Sequence, residues 1–223
     1  MGKKYIRKMH IRNINLNKWF PENDKFAAGM AKLCILREDF LFELQGFVES
    51  HSVPIEDEYG TDWRQLYFFR RMCTTVKEVR NAIEVLSKES KEFKQFLKEQ
   101  PTDLVKHVDS FKADLNRALK TIDTVRNEVS AHIKQSSIEQ ALNKMRDEQR
   151  SGVLQISFEM PAKTHYKFTV ELLMAIMLKD VPPDNQEKEA KERVDKFIPA
   201  VQNLLEMINM IFSFYAKERV LGT

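Results

Sequence analysis

The sequence predicts an all-α protein, an up-and-down bundle of about six helices, and three observations carry that expectation. Gly and Pro are scarce, 6 and 7 in 223 residues, about half their usual share, which leaves few turns. Apolar residues recur at the 3.6-residue helical period through most of the chain. Only one short stretch, Val153 to Phe158, alternates apolar and polar residues as a strand does. With 43% hydrophobic and 31% charged residues, the chain is expected to fold around a sizeable core. A turn-rich sandwich, a collagen-like chain and a Gly-rich dinucleotide fold are excluded.

Each element follows from local signals. Residues 1–20 hold Lys3, Lys4, Arg7, Lys8, Arg12 and Lys18 and no acid, so they read as a basic arm, either a solvated tail or a phosphate-binding one. Pro21 to Asp24 predicts a helix start, and Phe26, Met30, Leu33, Leu41, Leu44 and Phe47 mark its apolar face. Ser50 to Gly60, with Pro54 and the acidic run Glu56 to Glu58, reads as a solvated loop. A second helix is expected from near Thr61, with Trp63, Leu66, Phe69, Met72, Cys73, Val76, Val79, Ile83 and Leu86 in register. A short helix around Phe93, Phe96 and Leu97 stops at Pro101.

Thr102 and Asp103 are suited to cap the next helix, whose stripe runs from Val105 through Val108, Phe111, Leu115, Leu119, Ile122 and Val125 to Val129. Ser136 with Glu139 predicts a capping box and a polar helix to about Glu148. Residues 153–159 read as extended, a small hairpin or an oligomer contact. A helix follows Pro161 to about Leu178. Pro182-Pro183 breaks the chain, Asp184 with Glu187 predicts a second capping box, and a last helix carries Val194, Phe197, Val201, Leu204, Ile208, Ile211 and Tyr215, with Pro199 expected to kink it. The chain reads as one helical domain, with residues 21–148 as a bundle and 153–223 completing it or making a dimer.

Composition narrows the function. The net charge, 36 − 33 = +3, neither demands nor excludes a nucleic-acid partner. Cys34 and Cys73 fall on apolar faces and read as reduced core residues of a cytoplasmic protein. No apolar segment behind the basic start resembles a signal peptide, and no uncharged apolar run approaches the 18 residues of a membrane span. The 5 histidines form no metal-ligand spacing, and no phosphate-cradling loop or nucleophile elbow is present. No metal and no cofactor is therefore expected.

One constellation remains: Arg126, Asn127 and His132. A guanidinium holds a phosphate bidentately and stabilises charge developing on it. A histidine titrates near neutrality and moves a proton. Together they suit attack of an RNA 2′-hydroxyl on its own phosphate without a metal, with Asn127 positioning the base or phosphate. The basic residues Arg70, Arg71, Lys77 and Arg80 on the second helix are candidates for the RNA backbone or for a solvated face.

The run Thr121 to Ile133, TIDTVRNEVSAHI, resembles the signature of HEPN domains: Arg, a polar residue, then His after four to six intervening positions. Arg126, Asn127 and His132 match it, and Ala131 and Ile133 flank the histidine as in the family. The resemblance covers residues 25–145, with its sharp part about seven residues long. It implies a helical bundle that homodimerises around a shared cleft, and a metal-independent endoribonuclease that leaves a 2′,3′-cyclic phosphate, often in a toxin or antiphage defence setting. An antitoxin or regulatory protein is an implied partner. Lys134 stands where some members carry a modified tyrosine, so that form of control is not expected here. Members without activity imply the alternative, a non-catalytic interaction or scaffold module. On a straight helix, positions six apart lie about 120° from one another. Arg126's long reach, a helix irregularity or a second subunit must therefore bring Arg126 and His132 together.

Overall fold

A computed structural model describes residues 14–50, 58–99, 102–130, 133–150 and 168–221. Among these residues the architecture is all-α, with eight α-helices rather than about six. They are α1 (Leu16–Trp19), α2 (Lys25–Glu49), α3 (Glu58–Glu89), α4 (Lys91–Glu99), α5 (Thr102–Val125), α6 (Gln135–Asp147), α7 (Phe168–Met177) and α8 (Gln186–Leu221). A π turn, Arg126–Ser130, extends α5, and a 3₁₀ turn, Pro183–Asn185, leads into α8. The expected extended segment at 153–159 and the helix start after Pro161 lie outside the described residues.

The α2–α3 pair is an antiparallel hairpin. Asp24 caps α2, its Oδ1 accepting from the Ala27 N–H at 2.8 Å, as the sequence suggests. Lys25 pairs with Glu89 at 3.9 Å at one end, Glu43 accepts from Thr75 at 3.0 Å further along, and Gly46 meets Phe68. The two helices approach so closely that a Cβ on Gly29 would lie 2.2 Å from Leu86 Cδ2, and one on Gly46 would lie 2.3 Å from the Phe68 ring. Met30, Leu33 and Phe40 from α2 and Cys73, Val76, Val79 and Ile83 from α3 fill the space between them and the bundle.

α5 packs antiparallel on α8, with Leu104, Phe111, Leu115 and Ile122 buried against the row Phe197, Leu204, Ile208 and Ile211. A polar seam accompanies this contact. Asp114 accepts from Arg117 at 2.8 Å and from Asn203, and His107 lies 3.7 Å from Glu206. Arg37 donates to Asn209 at 2.7 Å and so ties α2 to α8. α8 contains a window of mean hydropathy 1.3, long and apolar enough by length and composition to cross a membrane. Its buried row lies in the bundle core. α8 runs without interruption through Pro199.

Several local expectations are corrected. Part of the basic arm is α1, whose end docks on α8: Trp19 lies 5.9 Å from Phe212, Phe20 lies 6.2 Å from Tyr215, and the Tyr215 hydroxyl donates to the Trp19 carbonyl. Weak periodicity hid this element because a one-turn helix is held by two aromatics rather than by a stripe. α3 begins at Glu58, three residues before the expected start, so Gly60 falls inside it. α6 begins at Gln135, with Lys134 at the cap and no side-chain cap bond. The predicted capping serine, Ser136, is therefore inside the helix. Asp184 likewise sits in the 3₁₀ turn and caps nothing. Thr102 is the first residue of α5 rather than its cap. Ser90 takes a capping role instead, its Oγ accepting from the Phe93 N–H at 3.0 Å.

The two close approaches predict different tolerances. Gly29→Ala gains about 1 kcal/mol of helix propensity. It must also displace the buried Leu86, at a cost of roughly 1–3 kcal/mol, so a lowered melting temperature is expected in thermal unfolding. Gly46→Ala meets only the half-buried Phe68, which can swing outward, so its melting temperature should stay near wild type or rise.

Candidate functional site

α5 carries the candidate residues to its C-terminal end, where the helix changes character. Arg126 to Ser130 form a π turn, with hydrogen bonds from i to i+5 in place of i+4. This is a helix irregularity at the first residue of the Arg–His motif. Such turns are rare and recur at functional sites. Val125 and Val129 are buried and anchor the turn on its inner side. Arg126 is half-buried and Asn127 is exposed. Ala131 and His132 lie outside the described residues.

Two ion pairs between α3 and the end of α5 fix the approach to the turn. Lys77 Nζ lies 2.7 Å from Asp123 Oδ1, and Arg126 Nη2 lies 3.1 Å from Glu78 Oε1. The Arg126 side chain retains 37% of its exposure beside Glu78, so its guanidinium is oriented but accessible.

A second polar cluster ties the turn to the elements that follow. Glu128 accepts from the Ser137 hydroxyl of α6, pairs with Lys134 Nζ at 3.1 Å and lies 3.6 Å from Lys179 Nζ just beyond α7. The Ser137 hydrogen bond, helped by Lys134 and Lys179, holds the Glu128 carboxyl below its usual value despite its burial. Glu128 thus fastens both ends of the short connection that contains His132. Nearby, Lys144 Nζ of α6 binds the turn beyond α7, at 3.3 Å from the Lys179 carbonyl and 3.1 Å from that of Val181. The buried Arg193 donates to the Met177 carbonyl.

The four basic residues of α3 do not share one open face. Arg70 is buried, and burial lowers its pKa. Arg71 is exposed and reaches Glu43 at 3.3 Å. Lys77 is engaged by Asp123, and Arg80 by Glu84 one turn on at 2.7 Å. They stand at i, i+1, i+7 and i+10, and their partners draw Arg71 toward α2 and Lys77 toward α5. Glu43 is itself buried, with one carboxylate oxygen in no hydrogen bond, and burial raises its pKa. Cys34 and Cys73 are both free, and burial pushes the Cys73 thiol far up its range, which removes it from nucleophilic chemistry.

Among the described residues no three His, Cys, Asp or Glu side chains come together as a metal would need. An apolar cavity of about 290 Å³ lies between α3, α7 and α8, lined by Leu66, Phe69, Val170, Met174 and Arg193 among others. Neither Arg126 nor Asn127 borders it. Sequence reasoning missed Glu78 and the role of Glu128. Glu78 leaves no local signal, because its partner is 48 residues away, whereas Glu128 sits in full view inside the motif with Ser137 nine positions on.

The Glu128 cluster makes the connection sensitive to acid. Its folded pKa is depressed, so its contribution is complete above the unfolded carboxylate value and is lost as pH falls through the folded one. Glu128→Gln should cost roughly 1–2 kcal/mol near neutrality in chemical denaturation. The gap from wild type should close progressively on acidification below the normal carboxylate range. A gap that stays constant to low pH would mean that the charge of Glu128 does not stabilise the fold.

No family model, no curated protein and no solved structure matches this chain.

Proposed function

We propose that the protein is a metal-independent endoribonuclease of HEPN type. The observation that carries this reading is the π turn, which begins at Arg126, exposes Asn127 and leads directly into the connection that holds His132. In the proposed reaction the RNA 2′-oxygen attacks the adjacent phosphorus and the bond to the 5′-oxygen breaks. The products are a 2′,3′-cyclic phosphate and a 5′-hydroxyl. Arg126 stabilises the charge that builds on the phosphoryl oxygens. His132 takes the proton of the 2′-hydroxyl or delivers one to the leaving oxygen, and Asn127 positions the nucleotide. No step needs a metal.

The second reading, a non-catalytic helical interaction module, has one observation in its favour. Arg126 already has a partner in Glu78, as a purely structural arginine would. The two readings part on a single assay with end-labelled RNA. Under the first, cleavage persists in EDTA, the new 3′ ends carry a cyclic phosphate, and Arg126→Ala and His132→Ala each lower the rate by about 10²–10⁴-fold with unchanged helical circular dichroism. Cleavage unaffected by both substitutions overturns the site assignment. An intact wild-type protein that cleaves no RNA supports the interaction module.

A further inference from the structure

Among the described residues the outer face of α2 lies outside the buried core and is self-complementary, and we propose that it pairs antiparallel with α2 of a second copy of this chain about a two-fold axis at Ile35. The proposal rests on the pattern of this helix alone and stands apart from the ribonuclease reading.

Three apolar residues lie on this face at heptad spacing: Ala28, Ile35 and Phe42. All three are exposed, Ile35 at 63% and Phe42 at 73%, Phe42 being the most exposed large hydrophobic residue among those described. A seven-residue repeat drifts only about 20° per step on an α-helix, so the three form one stripe. The burial of α2 falls elsewhere, on Phe26, Met30, Leu33 and Phe40, which face the bundle. The stripe takes no part in the buried core, and Phe42 borders only a shallow groove shared with Gly46 and Phe68.

The charges identify the occupant. Lys32 and Asp39 lie on the same face and on the same side of the stripe, seven residues apart. At 1.5 Å per residue they stand about 10 Å from each other along the axis, too far to pair within one helix, and neither makes an ion pair among the described residues. An antiparallel copy centred on Ile35 gives each of these five residues a counterpart. Ile35 meets its own equivalent, and the large Phe42 lies over the small Ala28 of the other copy. Lys32 stands within about one residue of the other copy's Asp39 in axial position. A two-fold operation makes each contact twice. An unrelated partner would have no reason to satisfy this internal symmetry, in which large matches small and cation matches anion about one residue.

Sedimentation velocity across a concentration series tests the pairing, because one helix pair lies at the small end of specific interfaces and its dimer should dissociate on dilution. Phe42→Ser should weaken association by at least ~10-fold without altering circular dichroism, since Phe42 is outside the core. Lys32→Asp should weaken it as well, by placing two acids together on both sides of the axis, as should Asp39→Lys with two bases. The double variant Lys32→Asp/Asp39→Lys should restore association to near wild type, because the exchanged charges meet again across the two-fold. A wild-type chain that stays monomeric at high concentration overturns the proposal. So does a dimer indifferent to Phe42→Ser, or a double variant no better than its single parents.

Discussion

The close packing of α2 on α3 is the contact on which the rest of the structure depends. Two glycines, Gly29 and Gly46, remove the side chains that would hold the helices apart. Leu86 and Phe68 occupy the space so released. The buried Leu86 at the Gly29 crossing cannot give way, so that contact holds the register, while the half-buried Phe68 opposite Gly46 follows it. That fixes the axial position of α3, and α3 in turn presents Lys77 and Glu78 toward the end of α5. The ion pairs to Asp123 and Arg126 are consequences of that register. They are too exposed to create it, since such pairs contribute at most about 1 kcal/mol.

The same hairpin contains a costly buried carboxylate. Glu43 is buried with one oxygen served by Thr75 and Arg71 and the other by no hydrogen bond. A buried carboxylate so incompletely satisfied favours its neutral form, in keeping with its raised pKa. The apolar packing around it therefore carries the stability of the hairpin. Phe40, Met30 and Leu33 on one side and Val76, Val79 and Ile83 on the other are all buried. At the far end of the bundle the accounting is different. Arg193 donates to the Met177 carbonyl at the end of α7, a cation that complements the helix dipole, while Lys144 binds the Lys179 and Val181 carbonyls of the turn beyond and Gln186 binds that of Val181.

How much of this was legible depended on whether the signal was local. Helical periodicity identified α2 to α5 and α8 because an apolar stripe is written along one helix, whereas α6 and α7 were expected from capping and proline signals. Pro21 to Asp24 was readable as a helix entry, and Asp24 caps it because its partner is three residues away. The capping boxes at Ser136 and Asp184 failed for a physical reason. Ser137 binds Glu128 instead, and Pro182-Pro183 starts a 3₁₀ turn before α8 can begin. The placement of Arg70, Arg71, Lys77 and Arg80 was unreadable, since Glu43 and Asp123 come from other helices and only packing brings them to α3. A helix irregularity was only one of three ways the sequence left open for joining Arg126 to His132, and the π turn itself was not legible. Nothing in Arg126 to Ser130 itself spells i to i+5 bonding.

The Arg126–Glu78 pair bears on both functional readings, and magnitudes decide how. Both side chains keep about a third of their exposure, so the pair exchanges one solvated arrangement for another and holds the guanidinium by roughly 1 kcal/mol or less. Glu78 takes a single N–H of the guanidinium at 3.1 Å, whereas a phosphate can take two in parallel. Under the ribonuclease reading the pair is then a resting position that an RNA backbone would displace. While it lasts, it keeps the guanidinium from folding back on the helix and aims it across the groove between α3 and the π turn. That is the arrangement in which a long, flexible side chain loses least entropy on meeting its ligand.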